Sequence, residues 1–144
     1  MTMRERGTIV GEPGPVPMSS ATAHHEAGHA IACEHFGLSW VIHGPSDDDN
    51  FMSRTELHNV GTTAPGFDLE SVAFIAMAGW AAESRFVGSW KDPYVREGAA
   101  HDFVMLENLA EERRELITEQ AKSLVASEWH RVQEIAAEVL AKFG

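Results

Sequence analysis

One short stretch of the sequence combines residue types and spacing suited to metal chemistry, His25-Glu26-Ala27-Gly28-His29. Because His25 and His29 are four residues apart, a helix would present both imidazoles on one face, about one turn apart. Two nitrogens placed in this way can bind a single Zn²⁺ ion. Glu26, next to the first histidine, would take a proton from a zinc-activated water. The motif predicts the site of a zinc hydrolase.

The same pattern has a purely structural interpretation, an amphipathic helix with two partly exposed histidines. The surrounding residues favour the site. Ser19 or Ser20 can cap a helix that runs to about Phe36, with Gly37 as its left-handed end. Gly28 is unfavourable inside a helix, which indicates that another element packs closely against that side.

A catalytic zinc needs a third protein ligand and one open coordination position. Asp102 shares a helix face with Leu106 and Leu109, and a carboxylate that faces a core is costly unless it is paired or bound to metal. Glu83, on an apolar stripe of its own, raises the same question. Cys33 is one turn beyond His29 but is interpreted as a small buried apolar residue. The downstream candidates for the third ligand are Glu83, His101, Asp102, His58 and His43.

The elements that must position these residues are mostly helices. Hydrophobic periodicity and capping residues predict a fold that is mainly α with a small β element, preceded by a flexible tail. We expect one domain over residues 19–144. The predicted elements are a tail over 1–18, a helix over 19–36, strands over 40–43 and within 53–60 around an acidic turn at 44–50, a helix from about Asp68 to Val87, a loop over 89–98, and helices over 99–143 with Ser127 as a cap for a separate last helix.

The composition limits the classes of function. Acidic residues outnumber Lys and Arg by 22 to 11, for a formal net charge of −11. Such a surface repels phosphate backbones and anionic lipid, which argues against nucleic-acid and membrane binding. No apolar run approaches the roughly 18 residues that span a bilayer, and no signal peptide is recognisable. The single cysteine suits a reducing compartment, so a cytoplasmic protein is expected.

Three segments together resemble the FtsH-type zinc proteases. Residues 23–30, AHHEAGHA, resemble the HEAGHA helix of that family, and residues 78–83, AGWAAE, resemble its GG-x-x-AE helix. Residues 98–103, GAAHDF, resemble its GA-x-x-DL segment, which supplies the third zinc ligand. The C-terminal helix from His130 to Leu140 is similar to the end of that peptidase domain. Order and rough spacing agree over about residues 22–142.

The resemblance implies a role for each matching residue. His25, His29 and Asp102 would be the zinc ligands and Glu26 the general base, while Glu83 falls on a position that steadies the site without ligating. The chain also departs from the family. Trp80 stands where the second glycine is expected, and residues 41–66 match poorly. Neither the ATPase module nor the membrane anchor of the family is recognisable, and no G-x-x-x-x-G-K-[ST] motif occurs.

The expected function is a zinc-dependent, ATP-independent metallopeptidase that cleaves peptides or unstructured protein segments. Two alternatives stay open: a metal-binding or interaction module without hydrolysis, and a zinc amidohydrolase that acts on a small-molecule amide. Intact Glu26 argues against the first, because a binding-only site needs no base. A homo-oligomer or a separate delivery partner is also open, since four tryptophans suit a core as well as an interface.

Overall fold

The structure is a computed structural model that describes residues 7–45, 54–58 and 68–144. Its described part is mainly helical with one small sheet, which confirms the predicted class. In chain order the elements are β1 (Gly7–Val10), α1 (Ser20–His35), β2 (Ser39–His43), β3 (Arg54–His58), α2 (Leu69–Val87), α3 (Pro93–Gly98), α4 (Ala100–Glu107), α5 (Glu111–Ser127) and α6 (Trp129–Phe143).

Helix α1 begins where the capping residues predict. Ser19 is the N-cap, and its Oγ accepts a hydrogen bond of 3.1 Å from the backbone N–H of Thr22. At the other end, Gly37 has a φ of +74°, a conformation that glycine adopts without strain. A Cβ on Gly28 would overlap the carbonyl oxygen of Ala78 in α2. The expected close approach against Gly28 is therefore confirmed.

Helix α2 also matches its predicted bounds. Asp68 is the N-cap, with its Oδ1 3.0 Å from the donating N–H of Ser71, and Gly88 ends the helix at a φ of +91°. The middle of the helix is buried almost all round, from Ala73 to Ala82, because α1 packs on one side and α4 and α5 on others. Helix α2 is thus the central element against which the rest is positioned.

The sheet has the order β1-β2-β3, with β2 parallel to β1 and antiparallel to β3. Strands β2 and β3 lie where strands are predicted. Strand β1 corrects the expected tail over 1–18, since residues 7–10 pair with residues 40–43. Thr8, Ile9 and Val10 are β-branched and suit a strand. Met18 is buried as well, and its N–H donates to the carbonyl of Phe143 at 2.9 Å.

Two further predictions in the C-terminal half are wrong. The expected loop over 89–98 contains α3, because Asp92 accepts hydrogen bonds from two backbone N–H groups and Pro93 suits the first turn of a helix. Ser127 does not cap the last helix: its hydroxyl donates to the carbonyl of Leu124 at 3.0 Å, and α6 begins at Trp129. Helical structure from residue 99 onward is otherwise confirmed.

The predicted acidic turn falls largely on residues 46–50, which lie outside the described residues, as do residues 1–6. Over the ranges that the structure does describe, no helix combines the length and apolar character needed to cross a membrane.

Candidate metal centre

Helices α1 and α4 bring three predicted ligands together. The Nε2 atoms of His25 and His29 lie 3.0 Å apart on α1. Asp102, near the start of α4, places its Oδ2 3.0 Å from Nε2 of His25 and 3.6 Å from Nε2 of His29. The two histidines are buried and Asp102 is partly buried. Within the described ranges these residues form the one group of three or more metal-ligating side chains.

The donor set fits zinc. Two imidazole nitrogens and one carboxylate oxygen are ordinary protein ligands of Zn²⁺, and metal–ligand bonds of about 2.0–2.2 Å in a tetrahedron put donor atoms about 3.3–3.5 Å apart. The three separations between the donor atoms, 3.0, 3.0 and 3.6 Å, lie close to that value. Small shifts of the three side chains would bring these separations into that range.

Both histidines are fixed from behind by residues of α2. Nδ1 of His25 donates to Oε1 of Glu83 at 2.8 Å, and Nδ1 of His29 donates to the carbonyl oxygen of Ile75 at 2.8 Å. These bonds select the tautomer that leaves each Nε2 available for a metal, and they orient the rings. Glu83 thus contacts a predicted ligand, His25, through its Nδ1.

Gly79 makes room for one of the rings. A Cβ at this position would overlap the imidazole of His29, so a side chain larger than hydrogen would displace that ring. Gly28 lets α1 approach the backbone of α2 in the same region. Two glycines at the contact between α1 and α2 therefore set the depth at which the histidines sit.

The cluster concentrates negative charge that requires a cation. Burial alone lowers the pKa of His25, but hydrogen bonds to Asp102 and Glu83 and the charge of Glu26 outweigh burial and raise that pKa to about 10. Burial opposes the charged form of His29 too, yet the charge of Asp102 raises its pKa. Burial raises the pKa of Asp102, but the two imidazoles together lower it well below its usual range. A metal ion held by the three ligands would offset the charge of these carboxylates.

Glu26 follows the first histidine and is buried, with 5% of its surface exposed. Its charge contributes to the raised pKa of both His25 and His29, which indicates a carboxylate close to the two rings. Glu26 is therefore a buried carboxylate whose charge acts on both rings. Its catalytic role stays a prediction.

Among the candidates whose side chains the structure describes, Glu83, His101 and His43 do not join the group. His101 is exposed although it precedes Asp102, and His43 belongs to β2. His58 lies in β3, where the structure describes no side chains. Cys33 is buried, and burial raises the pKa of its thiol to about 12, in keeping with a small apolar role.

Sequence reasoning missed several residues that support the site. The backbone carbonyl of Ile75 has no side-chain signature. His24 stacks on the ring of Phe86 at 4.2 Å and on Trp129 at 5.6 Å, beside the first ligand. Trp80, which stands where the family has its second glycine, contacts Phe103 of α4 at 5.6 Å between ring centroids. No local sequence pattern links these residues, which lie on α1, α2, α4 and α6.

An open groove of about 610 Å³ lies elsewhere, beside His35, Phe74 and the face of α5 from Glu119 to Ser127. None of its lining residues belongs to the metal cluster, so its volume says nothing about the substrate of that cluster.

Comparison of the chain with models of protein families, with curated proteins and with solved structures finds no match. The interpretation of the site therefore depends on the geometry of its own residues.

Proposed function

We propose that this protein is a zinc-dependent metallopeptidase. One observation carries the proposal: Nε2 of His25, Nε2 of His29 and a carboxylate oxygen of Asp102 converge within 4.8 Å, in an arrangement that fits a zinc ion. The adjacent buried Glu26 and the order of the three motifs along the chain support hydrolysis rather than metal storage. The assignment to the FtsH-type proteases is part of the same proposal.

Each residue has a distinct task in this proposal. Bound Zn²⁺ supplies the Lewis acidity that makes water nucleophilic near neutral pH and polarises a carbonyl. His25, His29 and Asp102 hold the ion, while Glu83 and the Ile75 carbonyl keep the imidazoles oriented. Glu26 accepts a proton from the attacking water and delivers it to the leaving amine.

The substrates we propose are peptides and unstructured protein segments. The sequence contains no phosphate-cradling motif, so this chain has no evident means of using ATP to unfold a protein. A folded substrate would need a separate delivery partner. The acidic net charge of −11 disfavours nucleic acid as a substrate, and a cytoplasmic location is proposed with it.

The decisive experiment is incubation of zinc-loaded protein with a degenerate peptide library, read by mass spectrometry, beside casein as a flexible protein and a stable folded protein. We expect cleavage of the peptides and of casein without ATP, no cleavage of the folded protein, and complete inhibition by a chelator. Glu26→Gln is the matched control, because it removes the base and leaves all three ligands. It should bind zinc like the parent and lose at least about a hundredfold in kcat, as expected for a general base.

The results separate the alternatives. A parent protein that binds zinc and cleaves no peptide would overturn the peptidase proposal. Hydrolysis of small acyl amides without peptide cleavage would identify an amidohydrolase, and no hydrolysis at all would identify a binding module. Equal activity of the parent and Glu26→Gln would disprove the assigned base.

A further inference from the structure

The helix that carries Asp102 is poorly secured by its own sequence. Helix α4 has eight residues, too few to persist alone in water. Its N-cap residue, Ala99, offers no side-chain hydrogen bond, and Leu106 is its single buried residue. Val104 and Met105 are exposed. The orientation of α4 must therefore come from its contacts with neighbouring helices.

Phe103 supplies those contacts next to the ligand. Its ring meets the indole of Trp80 in an edge-to-face arrangement, with centroids 5.6 Å apart and planes at 76°. The guanidinium of Arg96, on α3, lies over the ring of Phe103 at 3.5 Å from its centroid. Edge-to-face aromatic pairs and cation–π contacts are both electrostatically attractive. We call Phe103, Trp80 and Arg96 the aromatic brace.

The aromatic brace is anchored in the core through Trp80. Trp80 belongs to the buried part of α2 and is 6% exposed. Its indole contacts that of Trp90 at 5.3 Å, and Nζ of Lys122 on α5 lies 4.6 Å from the centroid of Trp90 and 5.6 Å from that of Trp80. Gly79, the preceding residue, abuts the ring of His29. This segment of α2 thus contacts the ring of His29 directly through Gly79. Through Trp80 it also contacts α4, the helix that carries Asp102.

Neighbouring residues on a helix project about 100° apart, so the packing of Phe103 fixes the direction of Asp102. A rotation of α4 by about 20° moves a side-chain tip at a radius of about 5 Å by about 2 Å. Metal–ligand bonds tolerate deviations of about 0.2 Å. We propose that Phe103 is a positioning residue for Asp102, because its packing in the aromatic brace sets the rotation of α4 and thereby places the carboxylate beside the two imidazoles.

This inference rests on the proposed function, since it gives Asp102 the role of a metal ligand. The test measures Co²⁺ binding, with Co²⁺ as a coloured substitute for Zn²⁺, by titration of its visible absorption. Phe103→Leu removes the ring and keeps apolar bulk, and Phe103→Tyr keeps the ring. Phe36→Leu is the matched control, because Phe36 is also a partly buried ring in edge-to-face contact with another, Phe74 at 5.5 Å.

We expect Phe103→Leu to weaken Co²⁺ binding about 10–100-fold, as residues that orient a ligand do, and to alter the absorption spectrum. Phe103→Tyr and Phe36→Leu should stay within about threefold of the parent, even where Phe36→Leu lowers the melting temperature as much. In an Asp102→Asn background, Phe103→Leu should add less than about a threefold further loss, because its effect passes through that carboxylate.

Two outcomes would overturn the inference separately from the proposed function. A parent that binds Co²⁺ normally while Phe103→Leu binds as well as Phe36→Leu would leave the metal site intact and remove the positioning role. A tenfold further loss in the Asp102→Asn background would show that Phe103 acts by another route. A parent that binds neither Zn²⁺ nor Co²⁺ would overturn both proposals.

Discussion

Oδ2 of Asp102 lies 3.0 Å from Nε2 of His25, although the two residues belong to separate helices that contact each other mainly through α2. The unfolded chain cannot hold these atoms together, so metal binding should stabilise the fold. On the opposite side of the imidazole, Glu83 accepts from Nδ1. The two carboxylates contact one ring in different ways, which makes their roles separable by experiment.

The first prediction compares those carboxylates. Asp102→Asn should weaken zinc affinity by about 100-fold or more and reduce the rise in melting temperature that zinc produces, because it removes a charged ligand. Glu83→Gln should weaken affinity less, by about 10–100-fold. Both are measured by competition with a chromophoric chelator and by thermal melting with and without zinc. The reverse order would indicate a site with two histidines and a glutamate, against the assignment of Asp102.

The second prediction concerns the space occupied by His29. Gly79→Ala places a methyl group inside the imidazole ring, so the ring must shift away from the Ile75 carbonyl and from the cluster. Zinc affinity should fall at least about tenfold, and the metal-free protein should also lose stability. Isothermal titration and thermal melting measure the two effects.

Gly98→Ala is the control for that prediction, because a Cβ at Gly98 meets nothing within 4 Å and its backbone does not require glycine. It should bind zinc like the parent and be equally or slightly more stable. Unchanged zinc affinity in Gly79→Ala would mean that the His29 ring is free to move and that the observed contact is unimportant.

Local signals explain why some elements were predictable. The bounds of α1 and α2 follow from Ser19, Gly37, Asp68 and Gly88, because caps act within one turn. The buried face of α6 is also encoded locally, because its apolar residues recur three or four positions apart: Val132, Ile135, Ala136, Val139 and Phe143. Helix bounds and buried faces that are determined within a few residues can therefore be predicted from the sequence.

The remaining elements depend on distant partners or on ambiguous residues. Strand β1 pairs with residues about 30 positions away, and nothing local distinguishes it from a tail. The predicted loop over 89–98 contains Pro93, and proline is favoured in loops and also in the first turn of a helix. For the site, periodicity left Asp102 and Glu83 equivalent, and resemblance chose between them. Only the packing of α4 on α2 shows which carboxylate reaches both imidazoles.

The third prediction concerns Cys33, a fully buried thiol whose pKa burial raises from 9.0 to about 12. At pH 8 the native protein should react with a disulfide reagent at least about 100-fold more slowly than the unfolded chain, since the thiolate is the reactive form. The thiol of the unfolded chain ionises at a lower pH than the buried native thiol. The stabilisation from the neutral buried thiol should therefore be fully present below pH 9 and decline as the pH rises further. Labelling kinetics with and without denaturant measure the first effect, and fast labelling of the native protein would contradict the burial.

The last prediction contrasts two bidentate ion pairs. Glu34 accepts hydrogen bonds from Nη2 of Arg131 at 2.8 Å and from Nε of Arg131 at 3.2 Å, and its Oε2 also accepts from the indole N–H of Trp40 at 3.0 Å. The pair joins α1, β2 and α6, and its side chains are 11% and 15% exposed. Glu70 and Arg113 form a similar pair, at 2.6 and 2.8 Å, but their side chains are 36% and 46% exposed.

The more buried ion pair should contribute more to the free energy of unfolding. Glu34→Ala removes the acceptor of the Trp40 indole N–H and the nearer carboxylate of Arg131, whose Nη1 stays 3.6 Å from Glu134. Because the site is poorly solvated, the free energy of unfolding should fall by about 1–3 kcal/mol. Glu70→Ala exposes its partner to water and should change stability far less. Urea unfolding of both variants at two salt concentrations measures this, and salt should affect the Glu70 pair more than the Glu34 pair because buried charges are screened less. Equal losses in the two variants would mean that Glu34 contributes no more than a solvated ion pair, and that the packing of α6 on α1 relies on its apolar stripe alone.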